Sequence, residues 1–237
     1  MKRIIEKTDD GSATLFVPEL NEHYHSTKGA LTESQHIFIE MGLKESKVSA
    51  PRVLEIGFGT GLNAWLTLVE ADKSGRTIQY TGLELYPLEW AEVAQLGYIG
   101  KDARILIGND EQSAYLLFEN MHSCAWETSK FITPHFSLLK TKADANIWLK
   151  EQSQSYFDVI YFDAFAPEKQ PEMWSQELFN ELYVLMNAEG ILTTYCAKGV
   201  VRRMLQAAGF LVERIPGPPG GKREILRARK ESCSKQE

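Results

Sequence analysis

Three glycines at alternate positions, between a short apolar run and a helix-forming segment, constrain the fold of this chain most. The stretch VLEIGFGTGLNA, residues 53–64, places Gly57, Gly59 and Gly61 shortly after the acid Glu55. Glycine tolerates backbone dihedrals that other residues avoid, and it lets a ligand approach the main chain with no Cβ in the way. Free N–H groups at the start of the following helix then face that ligand. The stretch therefore predicts a strand, a tight turn and a helix, with a ligand bound at the turn.

The spacing of these glycines, GxGxG, differs from the GxGxxG turn that holds a pyrophosphate in dinucleotide-binding enzymes. With an acid two residues ahead, it resembles the first motif of class I S-adenosylmethionine (SAM) methyltransferases. The resemblance implies that SAM is the cofactor and that Glu55, Gly57, Gly59, Gly61 and Asn63 bind it. A strand-to-helix connection without a ligand is the alternative that the turn alone leaves open.

A second acid follows the next β-rich run. Residues 77–83, TIQYTGL, lead to Glu84, which lies 23 residues after Gly61. An acid at this distance is placed to accept hydrogen bonds from the ribose hydroxyls of a nucleoside cofactor. A glutamate at a strand end is also common without a ligand, but together with the glycine turn it favours a cofactor site.

Two further acids are predicted at strand ends. In FDVIYFDAFAP, residues 157–167, five of the first six residues are apolar or aromatic, which is typical of a strand buried on both faces of a parallel sheet. Ligands bind at the carboxyl ends of such strands, so Asp163 is the candidate catalytic residue. Another run, PHFSLLKTKAD, closes on Asp144. The methyltransferase resemblance assigns Asp144 to the adenine amino group, and the following NIWLKE equally favours a helix N-cap.

The remaining chain predicts an α/β fold. PEMWSQELFNELYVLMNAEG predicts a helix closed by Gly190, KGVVRRMLQAAG a helix ending at Gly209, and FLVERIPG with REILRARK an antiparallel hairpin. We expect a helix after Glu84 with Pro87 in its first turn, and another around SAYLLFENM in the less readable segment 101–132. This order indicates the class I methyltransferase fold: a Rossmann-like, seven-stranded, mostly parallel sheet with helices on both faces and a terminal β-hairpin.

The segment before the glycine turn exceeds a minimal nucleotide-binding fold. ATLFVPEL predicts a strand and LTESQHIFIEMGL a helix near the mouth of the site. Residues 1–48 are thus an N-terminal β-structure and helix covering the site, residues 49–230 the methyltransferase domain, and residues 231–237 a flexible tail. Tyr24 and Glu33 can close over cofactor or substrate, or serve only as a packing aromatic and a surface acid.

Composition excludes several classes of protein. A chain of 237 residues, 43% hydrophobic and 24% charged, suits a single soluble globular domain. No apolar run approaches the length of a membrane helix, so we expect a cytoplasmic protein without membrane contact. The three cysteines form no CxxC pair, which favours neither a disulfide framework nor a zinc site. The histidines His23, His25 and His36 have no carboxylate or cysteine partner at ligand spacing, so we expect no metal.

Charge is distributed unevenly along the chain. The net charge is −6, but residues 198–230 contain nine basic and two acidic residues, a net charge of +7 that leaves −13 on the remainder. This asymmetry predicts a phosphate-facing surface on an acidic body, with Arg202, Arg203, Lys222 and Arg223 as candidate phosphate contacts. A solvated helix face followed by a basic tail is the alternative.

Five stretches together resemble one family. GFGTGLN, LELYPLEW, FDAFAPEKQPEMW, AKGVVRRMLQAAGF and GGKREIL are similar to the methyltransferase domain of MnmC, a family of bacterial tRNA-modifying enzymes, over about residues 15–227. The resemblance implies methyl transfer from SAM to the amine of 5-aminomethyl-(2-thio)uridine at the wobble position, giving the 5-methylaminomethyl product. It also implies the tRNA anticodon stem-loop as partner, proton transfer at Asp163, substrate contact by Phe165, and no metal.

Two departures and three alternatives accompany this resemblance. MnmC commonly carries a second, FAD-dependent oxidase domain, which we do not expect in this chain, so the resemblance is to a stand-alone methyltransferase form. Ala143 stands where the family tends to have a glycine before the acid aligned with Asp144. A polyamine aminopropyltransferase shares the sheet and an amine nucleophile, but has a GGGDG turn and an acidic amine channel. A small-molecule amine N-methyltransferase, or a tRNA-binding module without catalysis, is also compatible with parts of the pattern.

Overall fold

The computed structural model describes residues 2–99, 111–152 and 154–232 of the chain. Within these ranges, eleven strands form two sheets. The strands are β1 (Ile4–Lys7), β2 (Ala13–Val17), β3 (Glu22–His23), β4 (Arg52–Ile56), β5 (Ile78–Glu84), β6 (Lys130–Thr133), β7 (Phe136–Lys142), β8 (Phe157–Phe162), β9 (Met186–Thr194), β10 (Leu211–Pro216) and β11 (Glu224–Arg229).

Helices connect most of the strands. The α-helices in the described ranges are α1 (Ala30–Ser34), α2 (Leu62–Ser74), α3 (Trp90–Val93), α4 (Glu111–Ser123), α5 (Ala145–Trp148), α6 (Gln176–Leu185) and α7 (Gly199–Ala208). A π-helical turn, Gln35–Glu40, continues α1. Gly209 ends α7 at a φ of 111°, as predicted, because glycine adopts this left-handed conformation without strain.

The larger sheet has eight strands in the order β10-β11-β9-β8-β4-β5-β7-β6. Strands β4, β5, β7, β8 and β9 run parallel, whereas β6, β10 and β11 are antiparallel to their neighbours. The α/β fold with a mostly parallel sheet and a terminal hairpin is therefore confirmed. The predicted count of seven strands is too low by one. The additional strand, β6, lies in the poorly readable segment, and its four residues, KFIT, are too few to show a period of two.

Alternate residues of the central strands face two separate apolar cores. Tyr161 of β8 packs in the core that contains Trp65 of α2, whereas Ile160 and Phe162 pack in the core that contains Phe179 of α6. All six residues of β8 are buried, which confirms the prediction of a strand covered on both faces. Asp163 follows directly, so its position is set by a rigid central strand.

Two predicted helix boundaries are wrong. The helix expected to close at Gly190 ends at Leu185, because Met186 is buried against Phe157 in the sheet and Glu189 takes a φ of 62°, which a helix does not allow. The helix after Glu84 starts at Trp90, with a capping box at its N-terminus, so Pro87 precedes it instead of lying in its first turn.

The N-terminal segment shares the core of the main sheet. Strands β1–β3 form the small sheet, and Leu15 and Phe38 pack in the same cluster as Trp65. Residues 101–110 of the predicted inserted segment, and Cys233 with the rest of the tail, lie outside the described residues. No helix in the described ranges is long and apolar enough to span a membrane.

Candidate active site

A cavity of about 890 Å³ opens at the carboxyl ends of the parallel strands. Most residues that the sequence predicts for the site line it. They are Tyr24, Glu33, Gly57, Gly59, Asn63, Glu84, Asp144, Asp163, Phe165, Lys222 and Arg223. Glu55, Gly61, Arg202 and Arg203 do not line it. Residues up to 199 positions apart in sequence therefore meet at one edge of the sheet, where open α/β folds bind their ligands.

The glycine turn has the backbone dihedrals that the sequence predicts, which other residues avoid. The φ angles of Gly57, Gly59 and Gly61 are 90°, 49° and 70°. A Cβ at Gly57 would lie 2.7 Å from the carbonyl oxygen of Asp163, and one at Gly59 would lie 3.2 Å from the Tyr24 ring. Close approach thus requires glycine at both positions. Gly61 is the N-cap of α2 and does not line the cavity.

Glu84 connects the end of β5 to the glycine turn. Its Oε2 accepts a 2.8 Å hydrogen bond from the backbone N–H of Gly59, and its Oε1 accepts a 2.9 Å bond from that of Tyr86. The carboxylate is therefore held at the cavity wall by two main-chain donors. A carboxylate oxygen has further acceptor capacity, which remains for a hydroxyl of a bound ligand.

Glu55 occupies a different place from the one predicted. Its side chain is fully buried beneath the cavity, where Oε2 accepts a 2.7 Å bond from the Tyr80 hydroxyl and Oε1 a 2.8 Å bond from Asn63 Nδ2. Burial raises the pKa of Glu55 well above its ordinary value. Glu55 thus does not line the cavity and instead accepts a hydrogen bond from Asn63, which does, and its contact with a cofactor stays a prediction.

Asn63 links Glu55 to Asp163, the candidate catalytic carboxylate, through hydrogen bonds to both. Its Nδ2 also donates a 2.8 Å bond to Asp163 Oδ2. Burial raises the pKa of Asp163 to about 7, while the bond from Asn63 acts in the opposite direction. The Glu33 carboxylate raises this pKa further and the Lys222 ammonium lowers it. A carboxylate whose pKa is near neutrality can accept and release a proton at physiological pH.

The loop after Asp163 is fixed through its backbone carbonyls. The Tyr195 hydroxyl donates a 2.8 Å bond to the carbonyl of Ala164, and Trp174 Nε1 donates a 2.7 Å bond to that of Phe165. The Phe165 ring meets the Tyr24 ring edge-on at 5.2 Å between centroids. The two aromatic residues thus form one wall of the cavity next to the carboxylate.

Sequence reasoning missed two groups that the structure places at the cavity. Tyr195 follows β9 directly, at the same edge as Asp163, and the rule on strand ends would have selected it. His25 shares a 2.8 Å hydrogen bond with the Thr60 hydroxyl of the glycine turn, and burial lowers its pKa to about 4. His25 is thus neutral at physiological pH and ties the N-terminal segment to the turn.

Asp144 is a helix N-cap in this structure. Its Oδ1 accepts a 2.8 Å bond from the backbone N–H of Asn146 at the start of α5. The residue also lines the cavity, together with Ala143. Capping therefore uses one carboxylate oxygen and leaves adenine contact as a prediction.

Much of the basic segment is neutralised internally. Ion pairs join Lys198 to Glu168, Arg214 to Glu224, Lys222 to Glu33, and both Arg227 and Arg229 to Glu45 and Glu213. Among the described residues, the side chains of Arg202, Arg203 and Arg223 have no such partner. Arg203 and Arg223 are exposed, whereas Arg202 is half-buried. The net charge of +7 thus overstates the positive surface that is free to meet a phosphate.

Comparisons with known proteins identify relatives of this arrangement. A family model described as S-adenosyl-L-methionine-dependent methyltransferase matches residues 120–231. The tRNA 5-methylaminomethyl-2-thiouridine biosynthesis bifunctional protein MnmC of Pseudomonas savastanoi pv. phaseolicola is 32% identical over 222 residues, which cover 88% of this chain and 32% of that protein. The corresponding protein of Cupriavidus metallidurans is 28% identical, over 97% of this chain and 35% of its own length. The chain thus spans about a third of the length of these relatives.

Solved structures also resemble this chain over most of its length. The crystal structure of MNMC2 from Aquifex aeolicus superposes with a TM-score of 0.75 at 25% identity, covering 96% of this chain and 70% of that one. Spermidine synthase from Thermotoga maritima superposes with a TM-score of 0.56 at 14% identity, covering 97% and 72%, and shows the shared fold alone.

The residues present fit the cofactor that this family uses. The turn lines the cavity with bare backbone at Gly57 and Gly59, a Cβ at Gly59 would meet the Tyr24 ring in the cavity wall, and Glu84 presents a carboxylate beside the turn. Asn63 Oδ1 is buried and has no hydrogen-bond partner within the described part of the chain, so a residue that lines the cavity also carries an unsatisfied acceptor. The glycine turn, the sheet order and the sequence matches together identify the chain as an S-adenosyl-L-methionine-dependent methyltransferase domain similar to that of MnmC.

Proposed function

We propose that this domain methylates the primary amine of 5-aminomethyl-(2-thio)uridine at the wobble position of tRNA, giving 5-methylaminomethyl-(2-thio)uridine. The names of the MnmC relatives support the substrate, and the match to MNMC2 of Aquifex aeolicus supports the reaction. SAM, when bound, supplies an electrophilic methyl group attached to a sulfonium. The chain's own residues must then bind the amine, remove its proton and keep water out.

Asp163 is the observation that carries this proposal. A primary amine is mostly protonated at neutral pH and attacks an electrophile only after it loses a proton. The Asp163 carboxylate lines the cavity and has a pKa of about 7, so it can take that proton from the substrate ammonium. Asn63 fixes the carboxylate, and Tyr195 fixes the loop that follows it. Positioning of this kind contributes a large part of catalysis in transfers between two bound groups.

We assign the remaining cavity residues to binding. Gly57 and Gly59 form the cradle for the cofactor, Glu84 accepts its ribose hydroxyls, and Asp144 lies where the adenine amino group is expected. The Phe165 and Tyr24 rings supply an apolar wall against which the uridine base stacks. In this scheme residues 1–48 cover the site that residues 49–230 form.

The partner is a tRNA anticodon stem-loop, and we propose that the protein acts in the cytoplasm. Arg203 and Arg223 are exposed and unpaired among the described residues, and Arg223 also lines the cavity mouth. Positive side chains beside the entrance suit the phosphates that flank a wobble nucleotide. Arg202 and Lys222 complete the proposed set of phosphate contacts.

Nucleoside analysis tests the proposed function. The purified protein is incubated with SAM and tRNA carrying 5-aminomethyl-2-thiouridine, and the digested tRNA is examined by mass spectrometry for the methylated nucleoside. Parallel reactions offer putrescine with decarboxylated SAM, and the free 5-aminomethyluridine nucleoside with SAM. We expect methylation of the tRNA and accumulation of the unmethylated nucleoside in tRNA from a deletion strain. Aminopropyl transfer to putrescine, or a free nucleoside methylated as well as tRNA, would replace the proposal with one of the alternative enzymes.

A further inference from the structure

One carboxylate and an aromatic face contact an ammonium group at the cavity, and the Asp163 carboxylate is near enough for that ammonium to lower its pKa. The Lys222 Nζ contacts Glu33 Oε1 and lies 4.5 Å from the centroid of the Tyr195 ring. The same Tyr195 donates its hydroxyl hydrogen bond to Ala164, the residue that follows Asp163. The ammonium of Lys222 therefore lies on the ring that holds the catalytic loop.

We propose that Tyr195, Glu33 and Asp163 form a subsite for a primary ammonium ion, that Lys222 is its internal occupant, and that the aminomethyl group of the substrate takes its place. The identity of the substrate in this statement rests on the proposed function. The existence of a cation subsite does not, because it follows from the groups that surround the lysine.

The burial and fixed position of the Glu33 carboxylate favour a cation beside it. Its residue exposure is only 8%, and its Oε2 is fixed by a 3.0 Å hydrogen bond from the backbone N–H of Ser26. A nearly buried carboxylate that keeps its charge requires an opposite charge beside it. A cation beside Glu33, either the lysine or the substrate, therefore avoids leaving a nearly buried carboxylate without a partner.

The surroundings of Lys222 allow its side chain to leave the subsite. Its side chain is 37% exposed, and it extends from a turn rich in glycine and proline, residues 217–221. A lysine ammonium is a compact charge on a flexible stem and tolerates alternative partners better than a guanidinium does. Once displaced, Lys222 is free to meet a phosphate oxygen of the tRNA, which reconciles its place inside the cavity with its proposed role as a phosphate contact.

This subsite accounts for selection of the aminomethyl group. An ammonium ion has three hydrogen-bond donors and is attracted to the face of a tyrosine ring, so two carboxylates and Tyr195 match it. An unmodified uridine carries no cation and cannot replace the lysine at Glu33. The enzyme would thus reject the unmodified nucleotide before the chemical step.

The test uses benzylammonium, an aminomethyl group on a small aromatic ring, with benzyl alcohol as its neutral counterpart. Calorimetry measures both probes against the wild type, Lys222→Met, and Lys222→Met combined with Tyr195→Phe or with Tyr195→Leu. The matched control is Lys198→Met, because Lys198 also lines the cavity and also has a carboxylate partner, Glu168. SAM affinity, measured in parallel, reports whether each variant is folded.

A subsite filled by its own lysine about nine-tenths of the time weakens an incoming cation about tenfold. We therefore expect benzylammonium to bind Lys222→Met about tenfold more tightly than the wild type or Lys198→Met, with no gain for benzyl alcohol. Lys222→Met/Tyr195→Phe should keep that gain because the aromatic ring remains. Lys222→Met/Tyr195→Leu should lose it because the ring is gone, although both variants lack the hydroxyl. Equal benzylammonium affinity in Lys222→Met and the wild type, or an equal gain in Lys198→Met, overturns the subsite. The predicted pattern without any methylation of tRNA would retain the subsite and refute the proposed substrate.

Discussion

The amide nitrogen of Asn63 donates to Glu55 on one side and to Asp163 on the other, at 2.8 Å in each case. One side chain on α2 thus joins a fully buried carboxyl group to a carboxylate at the cavity surface. The Tyr80 hydroxyl completes the chain of hydrogen bonds from beneath. Because each member orients the next, the geometry of Asp163 depends on Glu55 and Tyr80, neither of which lines the cavity.

Replacement of Asn63 by alanine should shift the pH dependence of methylation. The Asn63 hydrogen bond lowers the pKa of Asp163, so its loss raises that pKa above about 7. Only the ionised carboxylate accepts a proton, so the ascending limb of kcat/KM should move to higher pH. Activity should therefore fall at neutral pH and recover at alkaline pH.

The substrate ammonium titrates identically with both enzymes, so a shift between them reports the enzyme alone. Asn146→Ala, which alters an asparagine beside Asp144, is the matched control and should leave the limb in place. A limb that stays at the wild-type pH in Asn63→Ala would mean that Asp163 is not the titrating group.

Asp163→Asn should lose about 10²–10⁴-fold in turnover, the usual contribution of a positioned acid–base group. SAM affinity should hardly change, because in the proposed scheme Asp163 acts on the substrate amine, whereas Gly57, Gly59 and Glu84 bind the cofactor. Single-turnover rates and calorimetry on the same preparation separate the two quantities. Glu168→Gln, five residues along the same loop and exposed, should keep wild-type turnover. Unchanged turnover with a raised KM for SAM would make Asp163 a binding residue instead.

Gly59→Val should abolish SAM binding. The position has a φ of 49°, which a β-branched residue adopts only with strain, and the new side chain would press against the Tyr24 ring. Gly75→Val is the matched control, since Gly75 has a φ of 71° and open space around it. Both variants should lose stability, but only Gly59→Val should lose the cofactor. Calorimetric affinity within about tenfold of the wild type, or roughly 1.4 kcal/mol, would show that the turn does not bind SAM.

Affinity for tRNA should depend steeply on salt through Arg202, Arg203, Arg223 and Lys222, the last of these once it has left Glu33. Each phosphate contact that is removed should flatten the slope of log affinity against log salt by roughly 0.7–0.9. The double variants Arg202→Ala/Arg203→Ala and Lys222→Ala/Arg223→Ala should show this effect, and Arg229→Ala, whose charge is already neutralised, should not. Filter binding over a salt series measures the slopes. If both double variants keep the wild-type slope and affinity, tRNA docks elsewhere, and the N-terminal segment around Tyr24 is the next surface to test.

Local sequence patterns predicted those site residues that follow directly after a recognisable strand. The glycine turn, Glu84 and Asp163 each follow a recognisable strand, and the carboxyl ends of parallel strands meet at one edge. Their proximity could therefore be expected from strand order alone. The end of α6 could not, because Met186 leaves the helical pattern only through its burial against β8.

Contacts across long sequence distances escaped prediction for a physical reason. The place of Glu55 depends on which face of β4 it occupies and on Tyr80 of the neighbouring strand, which a motif does not encode. Similarly, the pairing of Lys222 with Glu33 joins residues 189 positions apart. Counting charges in one segment gave an apparent positive surface, whereas the folded chain neutralises much of it with carboxylates supplied from elsewhere.

The position of β11 between β9 and β10 has a consequence for biosynthesis. Strand β10 emerges from the ribosome before β11, yet its only sheet neighbour among the described strands is β11. Strand β10 therefore has no partner strand in the sheet until residues 224–229 have been translated. The turn that carries Lys222 lies within this hairpin, whereas its partner Glu33 is translated long before it. A nascent chain should thus acquire its complete cavity wall only after residues 224–229 have been translated, and a product truncated before residue 224 should lack the hairpin.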